Sequence, residues 1–437
     1  MTASETAEKV KAAGVVGAGG AGFPTHVKLQ TAVDIVIANG AECEPLLGSD
    51  RAVMVKYPDK ILQGLQLLAE STGARRKIIA VKKKYSEAIK VFQSCNSGCE
   101  FALLPDYYPA GDEVEIIKFA LGEIVPERGL PLDVGAVVDN VETLMNIASA
   151  VEGIPVTRRY VTVCGEVKNP SVISVPIGAS VKDTLDRCGG ITIDDPVVYL
   201  GGPMMGTISG TDAPVTKTTT GIFILPDDHF LIQTRSITYK HIIRQAQAAC
   251  TSCRLCTDAC PRYLLGHDIE PHKIMRTISL KMNERTDEMM SAYLCCFCGV
   301  CEYACPMRLS PRRVYEKTLE YLMSESVEFN KKNSPPSEHP MRQYRRIPGA
   351  RLMTRMGLDK YNKKLRFDDS EWTPQEVKIP LKQHIGFPAE PVVSISSKVL
   401  KGELLGEIPA GKLSARIHSS IDGTVTEVNT EYVKVRA

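Results

Sequence analysis

The chain has 437 residues, and its 53 Lys and Arg residues balance 51 Asp and Glu, for a formal net charge of +2. Hydrophobic residues make up 43% and charged residues 24%, which is typical of a folded protein and excludes a disordered chain. The balanced charge offers no basic surface for nucleic acid, which we exclude as a partner. A chain of this length predicts about three folded units.

No stretch approaches the roughly 18 to 20 consecutive apolar residues that cross a bilayer. The first residues, MTASETAEKVKAAG, contain no apolar signal-peptide core. We therefore expect a cytoplasmic protein without a transmembrane segment. The same stretch is faintly amphipathic, and an encapsulation peptide is a less favoured interpretation of it.

Residues 1–155 predict an α/β domain, because strand-length apolar runs such as VDIVIAN alternate with helix-like stretches such as PDKILQGLQLLAEST. Residues 156–236 change to short strands between Gly and Pro turns, which predicts a small β module with one helix. Within it, Gly201–Gly206 (GGPMMG) is interpreted as a tight turn in preference to a ligand contact.

A glycine-rich loop lies near the start of the first domain, where residues 17–25 are GAGGAGFPT. Its small residues would let backbone amides approach a phosphate or a flat ring closely. No strand precedes it and its spacing differs from G-x-G-x-x-G, so it is not the usual dinucleotide fingerprint. Taken alone, the loop fits a structural turn as well as a cofactor site.

Residues 237–326 are helix-like around two runs spaced C-x2-C-x2-C-x3-C, each followed by proline. Three thiolates two residues apart can surround one face of a [4Fe-4S] cluster, while the fourth reaches the other cluster, as in two-cluster ferredoxins. We therefore predict two clusters, one held by Cys250, Cys253, Cys256 and Cys305, and the other by Cys295, Cys298, Cys301 and Cys260.

The alternative for these runs is a pair of structural zinc sites, which is less favoured because zinc ligands usually come as separated pairs. Nine of the 14 cysteines lie between Cys250 and Cys305, and such clustering in a long chain indicates metal binding more than disulfides. Cys296 is predicted to be a bystander, and Cys95 and Cys99 to be free thiols.

The last two segments differ in composition. Residues 327–375 mix Pro, Lys and Arg without sustained periodicity, and predict a solvated linker in preference to a docking surface for an acidic partner. Residues 376–437 show β alternation broken by turn signals at Lys401-Gly402 and Asp422-Gly423, which predicts a compact all-β module.

Three further segments give the glycine loop a context: NGAECEP at 39–45, YPAGDE at 108–113 and DNVETL at 139–144. With GAGGAGFPT they resemble the flavin- and NADH-binding subunit of respiratory complex I, and more closely the Rnf complex C subunit-like family. The resemblance covers essentially the whole chain. It implies a multidomain fold with a complex I flavin-subunit-like α/β domain, a β-grasp (SLBB) module, a helical dicluster ferredoxin domain and a C-terminal barrel-sandwich module.

The family also implies which residues contact cofactors. The glycine loop would cradle the FMN phosphate and ring, with Lys28 near the phosphate, and Asn39, Asn140 and Thr143 would hydrogen-bond the flavin. Phe23 would stack on the nicotinamide or adenine ring of NADH, and Glu44 and Glu113 would accept hydrogen bonds from its ribose or nicotinamide amide. Ala41 and Asp112 depart from the complex I pattern, which has Asp and Glu there, so FMN is expected to be loosely held. The predicted cofactor-binding residues are Gly17, Gly19, Gly20, Ala21, Gly22, Phe23, Lys28, Asn39, Glu42, Glu44, Asp112, Glu113, Asn140 and Thr143.

The implied function is an NADH-dependent reductase that passes single electrons from FMN through the two clusters to an acceptor, as in a cobalamin reductase of a bacterial microcompartment. The alternative is an adaptor that delivers electrons to a partner protein such as proline reductase. Membership of an Rnf-like membrane complex is less favoured, because the Rnf protein has its barrel module in front. No side chain is predicted to be a catalytic nucleophile or base. The acceptor, the choice between NADH and NADPH, and a homo-oligomeric state stay open.

Overall fold

The computed structural model describes residues 1–95, 97–282, 286–329 and 336–437. Residues 3–151 form the predicted α/β domain. The helix predicted over Pro58–Thr72 has those bounds, with Pro58 in its first turn and Gly73 as a left-handed C-cap. The elements are α1 (Ala3–Ala12), α2 (Thr25–Lys28), β1 (Ile35–Gly40), α3 (Ser49–Lys56), α4 (Pro58–Thr72), β2 (Arg76–Lys82), α5 (Ser86–Ser94), β3 (Glu100–Leu104), β4 (Tyr107–Tyr108), α6 (Glu113–Leu121), β5 (Ala136–Asn140) and α7 (Val141–Val151).

The main sheet of this domain is parallel, with strand order β3-β2-β1-β5. The chain runs outward from β1 through β2 to β3, and then returns to the other side of β1 as β5. The carboxyl ends of β1 and β5 therefore meet where the strand order reverses, with Asn39 paired to Asn140. Ligands of open α/β sheets bind in the crevice at such a switch point.

The second module is built on an antiparallel pair, β6 and β7, extended by three strands of the same segment. Alternate residues of these strands bury their side chains against α8, as the short-strand pattern predicts. The elements are β6 (Arg158–Gly165), β7 (Ser171–Pro176), α8 (Val181–Arg187), β8 (Pro196–Leu200), β9 (Thr207–Ser209), β10 (Gly221–Pro226) and α9 (Phe230–Ser236).

The cysteine-rich segment is helical, as predicted. A short helix lies within each cysteine run, and two longer helices cover the runs through a core that includes Ile274 and Tyr315. The elements are α10 (Tyr239–Ala249), α11 (Leu255–Asp258), α12 (Pro261–Leu264), α13 (Pro271–Ser279), α14 (Thr286–Met290), α15 (Val300–Ala304) and α16 (Pro311–Ser324).

Residues 336–375 differ from the solvated linker predicted for 327–375, of which 330–335 lie outside the described residues. Leu352 and Leu358 are fully buried, and buried Arg342 pairs with Glu115 of the first domain. Ile347 pairs with Tyr108, and Arg366–Asp368 adds a parallel strand to the exposed edge of β7. The prediction failed because these apolar residues contact other domains and show no periodicity of their own. The elements are α17 (Arg342–Arg345), β11 (Ile347–Pro348), α18 (Gly349–Arg355) and β12 (Arg366–Asp368).

The C-terminal module consists of two small antiparallel sheets, β13-β19-β18-β15 and β14-β16-β17. Its core joins that of the first domain, because Ile379 and Val433 belong to the same buried cluster as Leu65 and Leu144. The elements are β13 (Glu376–Pro380), β14 (Glu390–Pro391), β15 (Lys398–Val399), β16 (Leu404–Glu407), β17 (Ile417–His418), β18 (Gly423–Val428) and β19 (Tyr432–Arg436).

The helix α1 does not present its apolar face to solvent. Ala7 and Val10 are buried in the core shared with α4 and α7, so the structure opposes its use as a free encapsulation peptide. Within the described ranges, none of the helices combines the length and apolar character needed to span a bilayer.

A buried lysine joins three of the modules. Lys217 lies in the second module, and its Nζ donates to the carbonyl oxygens of Gly14 in the first domain (2.6 Å) and Arg416 in the C-terminal module (2.7 Å). Burial lowers the pKa of Lys217 from 10.5 to about 7. Between these two pH values the unfolded chain binds a proton that the folded chain does not bind.

We expect the contribution of Lys217 to the free energy of unfolding to grow from pH 7 to pH 10, because a group adds stability with rising pH wherever its unfolded form binds more protons. The contribution of Lys217 over this window is about 4 kcal/mol, from about 1.4 kcal/mol for each unit of pKa shift. Urea unfolding, followed by fluorescence of the single tryptophan, Trp372, measures it. In Lys217→Met the same pH series should rise less steeply, and equal slopes in the two proteins would contradict the assignment.

Candidate cofactor cleft and iron–sulfur centre

The glycine loop lies across the start of α7, at the crevice between β1 and β5. The Ala18 N–H donates to Thr143 Oγ1 (2.9 Å), and the Gly17 N–H donates to the Phe23 carbonyl oxygen (2.9 Å), which closes the loop. A Cβ on Gly19 would lie 3.2 Å from Asn140 Cβ, whereas a Cβ on Gly20 would meet nothing within 4 Å. Gly19, Gly20 and Ala21 are exposed. The loop thus rests on Asn140 and turns its glycine backbone toward open space.

Arg159 anchors this loop from below, and the sequence analysis missed it. Its side chain is 2% exposed, and it donates to the carbonyl oxygens of Ala18 (2.9 Å) and Thr219 (3.1 Å). It also pairs with buried Glu142 of α7. The sequence signal for this role was an arginine within a predicted strand whose other residues are of types that are commonly buried. One buried side chain therefore holds the loop, α7 and the second module together.

Lys28 lies at the crevice but is already paired. Its Nζ donates to the Val138 carbonyl oxygen (2.7 Å) and to Asp139 (2.9 Å), and lies 3.9 Å from Glu113 Oε1. Because two carboxylates balance this lysine, which was predicted to lie near the FMN phosphate, the loop amides are the freer phosphate donors. The side chain of Glu113 is 49% exposed, yet the surrounding protein raises its pKa, as expected on the wall of an open cleft.

Asn39, Asn140 and Thr143 were predicted to hydrogen-bond the flavin, and the structure gives them partners within the protein. Asn39 donates to the Gly111 carbonyl oxygen (3.0 Å). Asn140 accepts from the Glu142 N–H (2.8 Å) and donates to Asp50 Oδ2 (2.7 Å). These side chains build the cleft walls, and among the described residues the second amide proton of Asn39 has no acceptor, so a ligand could take it.

Glu42 lies beneath the cleft. It is 9% exposed and accepts from Ser49 Oγ (3.0 Å) and the Asp50 N–H (3.3 Å), while its Oε2 is buried with no hydrogen-bond partner among the described residues. Burial raises the pKa of Glu42, and burial and the neighbouring Glu42 raise that of Asp50. Low dielectric disfavours two adjacent charges, so this pair retains a proton more readily than exposed carboxylates do.

Glu44 contacts the second module, in place of the predicted ribose or nicotinamide. Its carboxylate accepts the N–H groups of Met204 (2.8 Å) and Met205 (3.0 Å), and a Cβ on Gly202 would lie 2.3 Å from Glu44 Cδ. Burial raises the pKa of Glu44 to about 7. The segment Gly201–Gly206 is therefore a turn that docks on the first domain. Only glycine at position 202 leaves room for the Glu44 carboxylate.

The predicted cluster cysteines fall into two groups around two separate cavities. Cys296, predicted to be a bystander, lines the second cavity as well, so five cysteines meet there. The first cavity is lined by Cys250, Cys253, Cys256 and Cys305, and the second by Cys260, Cys295, Cys298 and Cys301.

The two cysteine loops share an uncommon backbone conformation. Ser252 and Arg254 in the first run, and Phe297 and Gly299 at the same positions of the second, have positive φ values between 54° and 79°. Non-glycine residues adopt this conformation at a cost and mostly where function demands it. Left-handed residues beside right-handed ones turn successive N–H groups inward, which is the backbone nest that holds phosphates and iron–sulfur clusters.

The donor chemistry fits iron–sulfur clusters. A single zinc ion needs its ligands to converge on one point, whereas each thiolate of a [4Fe-4S] cluster binds its own iron and can stand around a wider cavity. The N–H groups of Phe297 and Leu309 point at the sulfur atoms of Cys295 and Cys305, both at 3.4 Å.

The cysteine group around the second cavity faces the first domain. Tyr108 Oη donates to the Cys298 carbonyl oxygen (2.7 Å), and Arg262, two residues after Cys260, binds Asp112 through both guanidinium nitrogens (2.6 and 3.0 Å). Asp112 was predicted to contact a cofactor, and the structure instead shows it capping α6 and binding this arginine. Tyr108 is the first residue of the YPAGDE motif and Arg262 follows the first cysteine run, which is the signal that could have found them.

The turn Gly201–Gly206 of the second module also contacts the cysteine-rich domain. The Met204 carbonyl oxygen accepts from Arg235 (2.7 Å) and Arg312 (2.8 Å), and a Cβ on Gly299 would lie 3.4 Å from Met204. The first cysteine group lies farther out, where Cys253 is exposed and Met307 is 52% exposed. The protein therefore places the second cysteine group inside, against the first domain, and the first cysteine group at the surface. These are the inner and the outer cysteine group, respectively.

A crevice with exposed loop amides beside two cysteine-lined cavities defines an iron–sulfur flavoprotein built for electron transfer. Domain families match in the same order. The Nuo51 FMN-binding domain matches residues 10–149 and the SLBB domain residues 160–208. The 4Fe-4S dicluster domain matches residues 249–310, and the RnfC barrel sandwich hybrid domain matches residues 365–436.

The chain belongs to the RnfC-like family. It is 42% identical to the cobalamin reductase PduS of Salmonella typhimurium over 100% of this chain and 97% of that protein. It is also 38% identical to the C component of the Na(+)-translocating ferredoxin:NAD(+) oxidoreductase complex of Acetobacterium woodii, over 60% of this chain and 59% of that component. The predicted family and fold class are thereby confirmed.

Solved structures show the same fold at greater distance. A chain of NAD+-reducing [NiFe]-hydrogenase in its H2-reduced state aligns with a TM-score of 0.51 and 20% identity. The alignment covers 74% of this chain and 63% of the hydrogenase chain. At this identity the likeness concerns the fold alone.

Proposed function

We propose that this protein is an NADH-dependent cobalamin reductase that contains FMN and two [4Fe-4S] clusters and serves a bacterial microcompartment. The full-length similarity to PduS supports the acceptor, and the names of the FMN-binding and dicluster domains support the cofactors. When bound, FMN exchanges a hydride with a nicotinamide and single electrons with iron–sulfur clusters. One NADH gives up two electrons and a proton, and so reduces two acceptors by one electron each.

The observation that carries the proposal is the continuous protein contact between the cleft and the inner cysteine group. Tyr108 and Asp112 lie in the segment that leads into α6 at the cleft, and they bind Cys298 and Arg262 directly. The exposed Cys253 marks the opposite end of the cysteine-rich domain. This order suits a path from a nicotinamide site, through the interior, to an acceptor at the surface.

In the cleft, the exposed amides of Gly19, Gly20 and Ala21 would hold the FMN phosphate, and Asn39 the ring. Glu113, which is half-exposed, and Phe23 of the glycine loop would contact NADH. Cys250, Cys253, Cys256 and Cys305 would hold the outer cluster, and Cys260, Cys295, Cys298 and Cys301 the inner one.

The test is an oxygen-free titration of the purified protein with NADH, followed by visible absorption and EPR. We expect about eight iron atoms and one FMN per chain, bleaching by NADH, and NADH-dependent reduction of added hydroxocobalamin. Clusters that bleach with dithionite but not with NADH would overturn the nicotinamide assignment. Bleaching by NADH without cobalamin reduction would favour the adaptor function, in which a partner protein is the acceptor.

A further inference from the structure

A wide groove runs along the cysteine-rich domain, and neither the cleft nor the cluster cavities include it. Its volume is about 830 Å³, within the range of small-molecule sites, which is about 300 to 1,000 Å³. One wall consists of α17, β11 and α18, the segment predicted to be a linker. The floor consists of α11 and α15, together with the residue that follows Cys305.

The floor of the groove adjoins both cysteine groups. Leu255, Ala259 and Ala304 line it, and they directly precede Cys256, Cys260 and Cys305. Cys256 and Cys305 belong to the outer group and Cys260 to the inner group. A molecule in the groove would thus contact residues that adjoin cluster cysteines of both cavities. An electron acceptor needs to lie this close to the clusters.

The wall of the groove is strongly basic. Four arginines and one aspartate line it: Arg345, Arg346, Arg351, Arg355 and Asp258. Arg345 pairs with Asp258 (3.1 Å), so that acid neutralises one arginine only. Arg351 is exposed and has no hydrogen bond or ion pair to another described residue. The Nε of Arg346 is buried and has no hydrogen-bond partner in the same described ranges.

Flat and apolar surfaces accompany these charges. Tyr344 is 71% exposed and Leu255 is 47% exposed, and Tyr303, Ile347 and Pro348 also line the groove. Aromatic rings and guanidinium planes stack on conjugated rings, and guanidinium groups bind phosphate in a fork geometry. The combination selects a planar molecule that also carries a phosphate.

We propose that this groove binds the terminal acceptor, a phosphate-bearing, redox-active ring compound, which is the chemistry that corrinoids and flavin nucleotides share. The inference rests on the proposed function, because electrons must reach the cysteine-rich domain from NADH. The clusters held by the adjacent cysteines would supply single electrons, so two ring molecules would be reduced in turn for each NADH oxidised.

Binding to the intact, cofactor-loaded protein tests this. Equilibrium dialysis without oxygen gives the Kd of hydroxocobalamin, of FMN added after the cleft is filled, and of a glutamate-rich peptide. We expect Arg351→Glu to raise the Kd of at least one ring compound by about tenfold or more, because one charge-assisted contact with the phosphate is lost. Tyr344→Ala should also weaken ring binding. The matched control, Lys364→Glu, changes an exposed cation outside the groove and should leave the Kd unchanged.

Comparing the two ring compounds shows whether the site prefers a corrinoid or a flavin. Unchanged binding of both to Arg351→Glu, or Arg351-dependent binding of the peptide alone, would overturn the proposal. Bleaching by NADH is measured in the same samples and should be equal in wild type and variants. If NADH fails to bleach the wild type, the proposed function fails, and the dialysis result still decides whether the groove binds the ring compound.

Discussion

Cys298→Ser should abolish NADH-driven reduction of the acceptor while the protein keeps its FMN. Cys298 lines the inner cavity, and its carbonyl oxygen accepts a hydrogen bond from Tyr108 of the first domain. Removing one of four thiolates is expected to cost that cluster, so iron should fall from about eight to about four atoms per chain. The outer cluster should then bleach with dithionite but no longer with NADH.

The matched variant is Cys253→Ser in the exposed outer group. It should lose a similar amount of iron but retain rapid bleaching of the inner cluster by NADH, while acceptor reduction falls. Cys95→Ser, a cysteine outside both cavities, controls for the loss of any thiol and should behave as wild type. If Cys298→Ser kept NADH-driven bleaching and Cys253→Ser lost it, the order of the two groups would be the reverse of the one proposed.

Arg159→Met should lower the free energy of unfolding by about 3 to 5 kcal/mol and release most of the FMN. Breaking a buried ion pair leaves an uncompensated charge, which costs about this much. Here the stranded group is Glu142, 1% exposed in α7. The Ala18 carbonyl oxygen loses its donor at the same time, so the glycine loop loses its anchor. Urea unfolding and the FMN retained after gel filtration measure the two effects.

The double variant Arg159→Met, Glu142→Leu separates these effects. Removing both charges should restore much of the stability, because an apolar pair of similar volume is often as stable as a buried ion pair. The FMN loss should persist, since the loop still lacks its donor. Arg158→Met is the control, because this neighbour binds Ser174 on the other side of the strand. Full recovery of FMN in the double variant would contradict the role given to Arg159.

The candidate site was predictable in outline, and the contacts of its carboxylates were not. Asn39 and Asn140 lie at the carboxyl ends of β1 and β5, where the strand order reverses, and the glycine loop and Glu113 lie against the same crevice. Glu44 lies in one of the motifs that resemble the family, but both of its carboxylate oxygens accept hydrogen bonds from backbone amides about 160 residues away. No local pattern encodes that contact, since it depends on how the second module docks.

The sequence by itself determined the order of the modules, the helical and strand segments with strong periodicity, and the two repeated cysteine runs. These features are local, because a helix cap, an alternation or a ligand spacing is complete within about 15 residues. Only the tertiary structure decided which cysteine group faces the cleft, that Arg159 anchors the loop, and that residues 336–375 are folded against other domains. Each of these depends on groups far apart in the chain, whose burial and pairing exist only once the modules pack together.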